Sequence, residues 1–359
     1  SGGTASNYTL TGGTHNFTVN RRAVSVSGTR LYDATTNAVA SDLSTHANLV
    51  GSETLNLSGT GTIASKNVGS NKTVSVGTLA LADGSNGGLA ANYTLSGGTH
   101  QLTVNQRPLN ATLARQYDGT TTAAGSDLSS FDALQGGETL TMTGSGTAAS
   151  ANVANGIAMS SNGTLALADG TGLASNYSLN STVINIAQRV LNSSGSKTYD
   201  ANTDALAGAI TLSNLVSGEA LNHSGTATIS SANAGSYTIT NLSGISIADG
   251  SGGTASNYTL TGGTHNFTIN QRPLAATIAR QYDGTKTAAG SDLSSFDALQ
   301  GGETLTLSGS GTVGDENVAN GQGVTLGSLA LVNGTGLASN YSLNSASLNI
   351  TKRVLNSSG

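Results

Sequence analysis

Apolar residues alternate with polar ones over short stretches of the chain, which is the pattern of half-buried β-strands. In residues 303–309, ETLTLSG, the two leucines fall on one face of a strand and two threonines on the other. Residues 324–332 (VTLGSLALV) and 341–350 (YSLNSASLNI) read in the same way. The pattern therefore predicts β-strands, each only a few residues long.

Turn-forming clusters separate these strands, for example GDENVANGQG at 314–323 and NGTGLASN at 333–340. Only SDLSSFDALQ at 291–300 has the pattern of a helical turn, with Ser or Asp as its cap. Many short strands separated by closely spaced turns are typical of antiparallel sandwiches and barrels. The sequence thus predicts an all-β fold.

A self-similar unit recurs about every 83 residues. It is marked by a Tyr-Asp pair, by a Glu that opens an apolar alternation, and by a second Tyr that follows Asn. The Tyr-Asp pairs are Tyr32 and Asp33, Tyr117 and Asp118, Tyr199 and Asp200, and Tyr282 and Asp283. The glutamates are Glu53, Glu138, Glu219 and Glu303, and the second tyrosines of the full units are Tyr93, Tyr177, Tyr258 and Tyr341.

These landmarks predict four full repeats between two partial ones. The predicted boundaries are 1–21 for the tail of a preceding repeat, 22–106, 107–188, 189–271 and 272–352 for repeats 1 to 4, and 353–359 for the start of a further repeat. The chain is therefore expected to come from a longer protein. Repeats 2 and 4 are the most alike, which suggests that two alternating kinds of repeat form the larger period.

A unit of this length is too long for one solenoid coil and suits a small independent domain. We expect tandem antiparallel β-sandwiches of the immunoglobulin-like kind in an elongated array, with a β-solenoid and β-grasp-like repeats as alternatives. The two tyrosines of each repeat are expected to be buried, with their hydroxyl groups bonded to the backbone.

The junctions between repeats contain no glycine, as in residues 102–114, where Pro108 fixes a φ angle. Such junctions restrict bending, so we expect a semi-rigid array. Strands of about nine residues would make each unit on the order of 30–40 Å long, and four units roughly 150 Å.

Composition narrows the classes of function. Charged residues make up 9% of the chain and the net charge is −5, which gives no basic footprint for nucleic acid. Cysteine is absent, so disulfides and thiolate metal sites are excluded. No apolar run approaches the roughly 18 residues of a membrane span, so we predict no membrane insertion in this segment.

Candidate chemistry in the repeats is sparse. Asp83, Asp169 and Asp249 end similar stretches and are weak calcium candidates, because carboxylates and turn carbonyls can surround that ion. Asn333 takes this position in repeat 4, which favours Asx-turns bonded to their own backbone. No cofactor is otherwise predicted, and no nucleophile, zinc or phosphate-loop signature indicates an enzyme.

Two other polar groups have alternative interpretations. The histidines of the GGTH sequences, His15, His100 and His265, are interpreted as surface or strand-edge residues. Asn-x-Ser/Thr sequences open a possibility of glycosylation. They include Asn7, Asn92, Asn110, Asn176, Asn241, Asn257 and Asn340.

The YDG turn, the L-x-x-G-E-x-L segment, the Asn-Val loop and the closing NYTL, in this fixed order, resemble the YDG-type repeats of large bacterial surface exoproteins. Those proteins are filamentous-haemagglutinin-like adhesins, many of them exported by two-partner secretion. Ala34 and Ala201 replace the glycine of the YDG turn in repeats 1 and 3. Because alanine disfavours a positive φ angle, we expect this turn not to require one.

The resemblance implies an extracellular or cell-surface stalk that carries an adhesive region away from the cell. The expected partners are neighbouring repeats of the same chain. The alternative function is that the repeats themselves bind host or matrix glycans, or one another, in biofilm formation and cell adhesion.

Overall fold

A computed structural model describes residues 3–356. Within them, β-strands alternate with turns and with three-residue 3-10 helices, and no α-helix occurs. The predicted all-β class is confirmed. By their contacts the residues divide into two compact units of about two repeats each, Ser1–Arg115 with Thr121–Ile186, and Gln116–Thr120 with Ala187–Gly359. Each unit is described by itself.

The first unit contains the strands of repeats 1 and 2. In repeat 1 they are β1 (Arg22–Ala23), β2 (Ser25–Leu31), β3 (Asn37–Val39), β4 (Thr45–Ala47), β5 (Leu55–Ser58), β6 (Thr60–Ile63), β7 (Gly69–Ser75), β8 (Ala80–Asp83), β9 (Tyr93–Thr94) and β10 (Gln101–Asn105). In repeat 2 they are β11 (Arg107–Gln116), β12 (Thr122–Ala124), β13 (Leu128–Phe131), β14 (Leu140–Thr143), β15 (Ser145–Ala148), β16 (Ala154–Ser161), β17 (Ala166–Asp169) and β18 (Tyr177–Ala187).

The second unit contains the strands of repeats 3 and 4. In repeat 3 they are β19 (Arg189–Val190), β20 (Asn192–Thr198), β21 (Asp204–Leu206), β22 (Ile210–Ser213), β23 (Leu221–Ile229), β24 (Gly235–Asn241), β25 (Ile245–Asp249), β26 (Tyr258–Thr259) and β27 (His265–Asn270). In repeat 4 they are β28 (Arg272–Gln281), β29 (Thr287–Ala289), β30 (Leu293–Phe296), β31 (Leu305–Ser308), β32 (Ser310–Val313), β33 (Ala319–Thr325), β34 (Ala330–Asn333) and β35 (Tyr341–Thr351).

The 3-10 helices are single turns. They lie at Ala5–Asn7, Ala40–Asp42, Ala90–Asn92, Gly125–Asp127, Ala174–Asn176, Ala207–Ala209, Ala255–Asn257, Gly290–Asp292 and Ala338–Asn340. The helical turn predicted within 291–300 is the single 3-10 turn Gly290–Asp292, because the chain continues from there as the strand Leu293–Phe296.

Each repeat forms its own curled sheet, of roughly half-barrel shape. The strand orders are β3-β6-β7-β10-β2-β4, β12-β15-β16-β18-β11-β13, β21-β23-β24-β27-β20-β22 and β29-β32-β33-β35-β28-β30. Smaller pairings add β1 to β9, β5 to β8, β14 to β17, β19 to β26, β25 to β23 and β31 to β34. Among the described residues no sheet continues from one repeat into the next, so the solenoid alternative is wrong.

The first long strand of a repeat lies beside the last, and a single strand separates this pair from one edge of the sheet. In repeats 1, 3 and 4 this pair is parallel, whereas the other strand pairs of these sheets are antiparallel. In repeat 1, Ser27 pairs with Gln101 and Leu31 with Asn105. This pair therefore brings the two ends of each repeat together. In repeat 1 the Tyr-Asp turn follows directly after β2.

Packing explains why two kinds of repeat alternate. In repeat 1 the strand β2 carries Gly28, where an added Cβ atom would lie 1.7 Å from the Asp42 carbonyl oxygen. In repeat 3 the same position is Gly195, with 2.3 Å to the Ala209 carbonyl oxygen. Repeats 2 and 4 place Leu113 and Ile278 there, both fully buried. The backbone crosses closely over the strand in one kind of repeat, and a side chain fills the space in the other.

We predict that Gly28→Ala destabilises the first unit by about 3 kcal/mol or more, because backbone atoms have to move to admit the methyl group. Denaturant unfolding monitored by circular dichroism measures this change. Gly323→Ala is the matched control, since nothing lies within 4 Å of its added Cβ atom. It should change stability by less than about 0.5 kcal/mol. Equal stability of the two variants would contradict the packing argument.

Candidate functional site

The Tyr-Asp turn follows the first long strand of each repeat and is held by the aspartate. Asp33 Oδ1 accepts the backbone N–H of Thr35 at 2.9 Å, and its carboxylate pairs with the Arg30 guanidinium. The equivalent backbone bonds are Thr120 to Asp118 at 2.9 Å, Asn202 to Asp200 at 3.2 Å and Thr285 to Asp283 at 2.9 Å. The aspartate therefore shapes the turn that presents the tyrosine.

The position after the aspartate has a positive φ angle in every repeat. The values are 63° at Ala34, 79° at Gly119, 63° at Ala201 and 75° at Gly284. The expectation that this turn does not require a positive φ angle is wrong, although the angle does not require glycine. The Asx-turn and the pairing of the aspartate with the preceding cation hold the backbone in place, and the alanines accept the strain.

We predict that Ala201→Gly stabilises the second unit by about 0.5–1 kcal/mol, because it relieves a left-handed alanine at an exposed site. The reciprocal change, Gly284→Ala, should destabilise by about 1 kcal/mol, since its nearest atom is the Tyr282 hydroxyl at 3.9 Å and crowding is minor. Midpoints of thermal unfolding measure both. If both variants shifted the unfolding midpoint in the same direction, the positive φ angle would not be the cause of the change in stability.

The second tyrosine of each repeat follows a short 3-10 helix that an Asp or Asn caps. The calcium candidates have this role: the N–H groups of Ala90, Ala174 and Ala255 donate at 2.7 Å to Asp83, Asp169 and Asp249. Asn333 accepts from Ala338 at 2.8 Å in the same way, which explains why an amide can replace the carboxylate. Among the described residues no three His, Asp or Glu side chains cluster as metal ligands.

One glutamate joins two tyrosines from neighbouring repeats. In the first unit the Tyr32 hydroxyl donates to Glu138 Oε1 at 2.6 Å, and the Tyr177 hydroxyl donates to Glu138 Oε2 at 2.9 Å. The two rings meet edge to face, with centroids 5.3 Å apart. Gln135 N–H donates to the Tyr177 hydroxyl at 3.1 Å. The predicted backbone partner thus exists, but the carboxylate is the partner that links the repeats.

We call this arrangement, one glutamate bonded to two tyrosines from neighbouring repeats, a joint. In the first unit a lysine also bonds the glutamate of the joint. Lys66 Nζ lies 2.7 Å from Glu138 Oε1 and 5.9 Å from the centroid of the Tyr32 ring. The Glu138 side chain is 9% exposed and that of Lys66 41%. Burial raises the pKa of Glu138, but hydrogen bonds from Lys66, Tyr32 and Tyr177 outweigh it, so the net pKa lies below the usual range.

An asparagine of repeat 2 also forms hydrogen bonds with repeat 1 at this joint. The Asn176 side chain is buried, with 1% exposure. Its Oδ1 accepts the N–H of Val68 at 2.9 Å, and its Nδ2 donates to Asn67 Oδ1 at 3.0 Å. Arg107 Nε also donates to the Tyr32 carbonyl oxygen at 2.7 Å. Backbone and side chains of both repeats are therefore tied together around the tyrosine pair.

The second unit contains the same joint twice. The Tyr117 and Tyr258 hydroxyls donate to Glu219 at 2.6 and 2.5 Å, with ring centroids 5.4 Å apart. The Tyr199 and Tyr341 hydroxyls each donate to Glu303 at 2.6 Å, with centroids 5.2 Å apart. The Asn340 amide bonds Ala234 N–H at 2.8 Å and Asn233 at 3.0 Å.

The joint changes the ionisation of its tyrosines. Burial, followed by hydrogen bonds to glutamate, raises the pKa of Tyr199 and Tyr258 to about 12. Burial also raises the pKa of Tyr177 to about 12. A pKa that is higher in the folded than in the unfolded state stabilises the fold below about pH 10, and this contribution is lost as the pH rises towards 12.

We therefore predict that unfolding free energy falls steeply between pH 10 and about pH 12. Denaturant unfolding at a series of pH values measures it. Tyr258→Phe should be less stable than the unsubstituted chain at pH 8 and should lose less on going to pH 11. Tyr8→Phe is the control, because Tyr8 is 74% exposed, and its profile should match the unsubstituted chain. A Tyr258→Phe profile with an unchanged slope would contradict the assignment.

The structure brings together most of the residues that marked the repeats. Tyr32, Tyr117 and Tyr199 each meet the second tyrosine of the following repeat. Tyr93 donates to Glu53 of its own repeat, and Tyr282 is 38% exposed. The sequence marked the glutamates only as landmarks, and Lys66 was missed. The sequence did contain a signal for the pairing of Glu with Tyr, because each Glu precedes the second Tyr of its repeat by a nearly constant distance of 38 to 40 residues.

The buried histidines correct the surface interpretation. His100 and His265 are 6% and 7% exposed. His100 Nε2 donates to the Leu95 carbonyl oxygen at 2.9 Å, and its Nδ1 accepts Val26 N–H at 3.3 Å. The ring therefore connects the loop before β10 to β2. His15 is exposed, as expected.

Three of the predicted glycosylation sequences are inaccessible in the folded chain. Asn176, Asn257 and Asn340 are each 1% exposed because they lie inside joints. Their modification and the folded joint are mutually exclusive. Asn92, Asn110 and Asn241 are exposed.

Comparisons agree with the repeat structure. Four stretches, residues 15–101, 99–184, 187–265 and 268–348, match the family model described as the YDG domain. A search of curated proteins finds no match. In the described residues no helix is long and apolar enough to cross a membrane.

Proposed function

The chain belongs to the YDG domain family, and from this premise we propose that it is a stalk or spacer segment of a large secreted or cell-surface bacterial adhesin. Its role is to hold an adhesive region at a distance from the cell. Membership of the filamentous-haemagglutinin-like exoproteins of two-partner secretion, and an extracellular location, are part of this proposal.

The proposal rests on what the recurring polar side chains do in the structure. The tyrosines, glutamates and asparagines of the repeat motif bond one repeat to the next within each unit. The aspartates shape the turns that present them. A spacer needs neighbouring domains held in fixed register, and these side chains supply that constraint.

Apolar packing supports the same interpretation. In the first unit one buried cluster contains Tyr32 and Leu102 of repeat 1 together with Leu109 and Tyr177 of repeat 2. In the second, Tyr199 and Phe267 share a cluster with Leu274 and Tyr341. Interfaces that are apolar and hydrogen-bonded restrict relative domain motion more than the polar contacts usual between domains.

Changing the number of repeats tests the proposal. Residues 107–271 form one two-repeat period, and both Arg107 and Arg272 begin an Arg-Pro-Leu sequence, so their removal preserves the joint. We predict that the parent adhesin lacking 107–271 attaches over a shorter distance than the unaltered protein. Binding of cells to targets presented behind polymer spacers of increasing length measures this reach.

Duplication of residues 107–271 is the matched control and should lengthen the reach. The ligand specificity of the parent protein should be the same in all three forms. Loss of specificity on deletion would show that the repeats bind the ligand themselves, and reach that does not follow repeat number would refute the spacer role.

A further inference from the structure

Each joint brings the hydroxyl ends of two tyrosine rings together. In the first unit the Tyr32 and Tyr177 hydroxyls lie 2.6 and 2.9 Å from the two oxygens of Glu138, and the ring planes meet at 77°. The two joints of the second unit repeat this geometry, with centroids 5.4 and 5.2 Å apart and angles of 79° and 76°. Because both hydroxyls contact one carboxylate, the ring carbons next to them also converge, and these are the carbons through which tyrosyl radicals couple.

Composition directs one-electron oxidation to tyrosine. The chain contains ten tyrosines but no cysteine and no tryptophan, the two side chains that compete most strongly with tyrosine for a one-electron oxidant. Six of the ten tyrosines belong to joints, and each of these six is 5% exposed or less. A radical formed on one of these buried rings therefore meets the partner ring before it meets a second chain.

The shared glutamate accepts the proton that oxidation releases. A phenol that has lost an electron is a very strong acid, so its hydroxyl proton has to leave in the same step. At the joints the hydroxyls already donate to a carboxylate at 2.5 to 2.9 Å, as short charge-assisted hydrogen bonds do. Glu138, Glu219 and Glu303 are only partly buried, so the proton passes on to water.

Ionisation of the phenols does not provide another route at neutral pH. Burial raises the pKa of Tyr177, Tyr199 and Tyr258 to about 12, so these hydroxyls keep their protons. Oxidation of a joint tyrosine near neutral pH therefore needs a neighbouring base within hydrogen-bond reach, and the glutamate is that base. Each joint thus combines two rings placed to couple with one base that serves both of them.

We propose that the three joints are sites of oxidative cross-linking, at which a dityrosine bond forms between neighbouring repeats. Each ring loses one electron to the oxidant and its hydroxyl proton to the glutamate. The two radicals form a carbon–carbon bond between ring carbons next to the hydroxyls, and the hydrogen atom on each of these carbons moves to the phenol oxygen. A one-electron oxidant of the haem peroxidase class takes both electrons, which together with the two released protons reduce hydrogen peroxide to water.

Cross-linking at the joints does not depend on the spacer role, because it follows from the placement of the rings and the glutamate alone. A covalent bond between Tyr32 and Tyr177 prevents repeats 1 and 2 from separating at their joint. It also restricts the unfolded chain, as a disulfide does. We therefore expect the midpoint of thermal unfolding to be higher for the cross-linked chain than for the same chain before oxidation.

Photo-oxidised tris(bipyridine)ruthenium, which accepts one electron at a time, is the probe, with persulfate as the final electron acceptor. The whole chain is oxidised at high dilution, and the monomer is purified before its peptides are mapped by mass spectrometry. We expect dityrosine fluorescence, a loss of two hydrogen atoms per cross-link, and links between the partners of each joint. These links are Tyr32 with Tyr177, Tyr117 with Tyr258, and Tyr199 with Tyr341.

Substitutions at the first joint test the assignment within one chain, because the two unchanged joints are internal references. Tyr32→Phe keeps the ring and removes the hydroxyl, so it should abolish the link to Tyr177 and leave the other two. Glu138→Gln keeps the size of the side chain and removes the base, so it should slow formation of that link about tenfold or more. Tyr237→Phe is the matched control and should leave all three links, since Tyr237 forms no ring pair among the described residues.

A second variant and a denatured sample separate loss of coupling from loss of folding. If circular dichroism shows that Tyr32→Phe unfolds the first unit, Tyr341→Phe makes the same test at the joint of repeats 3 and 4. The chain unfolded in urea should lose the preference for these three pairs, because only the fold holds the rings together. Oxidation of tyrosine in the folded chain without these links, the same preference in urea, or an unchanged rate in Glu138→Gln would overturn the proposal.

Discussion

A partly buried carboxylate shared by tyrosine hydroxyls from two adjacent repeats is the interaction on which the structure depends. An ionised glutamate is costly to bury unless hydrogen bonds replace its water. At Glu138, Glu219 and Glu303 one hydroxyl comes from the same repeat and the other from the repeat before it. A repeat by itself therefore leaves its glutamate half satisfied, and the neighbour completes it.

This dependence suits the lean composition of the chain. Aromatic residues make up 4% of it and tryptophan is absent, so a domain of about 83 residues has few large side chains with which to build a core. Six tyrosines of the repeat motif meet in pairs at the three joints, where edge-to-face packing adds about 0.5–1.5 kcal/mol beyond area burial. Stability then resides in pairs of repeats, as in other tandem arrays.

The sequence predicted what depends on local pattern. Alternating leucines and threonines correctly indicated strands, and fixed landmarks correctly indicated tandem repeats. Contacts made across the period were harder to predict. The Tyr32 hydroxyl bonds Glu138, 106 residues further along, and no local rule pairs them. The buried histidines were misread because their partners lie on distant strands: Val26 is 74 residues from His100, and Ser193 is 72 residues from His265. The left-handed alanines were misread because the turn is fixed by Asp33 and Arg30, not by intrinsic preference.

Recurrence within one chain also changes how its polar motifs are to be interpreted. In an enzyme, a Tyr, an Asp, a Glu and an Asn at fixed spacing would indicate a catalytic centre. At the three joints the tyrosines and the glutamate bond one another, and the aspartates bond the turns that present them, so their recurrence follows from the geometry of the joint. Lys66 shows the contrast: it occurs at one joint, while Ala232 occupies the equivalent position at another. Side chains required by every joint recur, and those that adjust the strength of one joint vary.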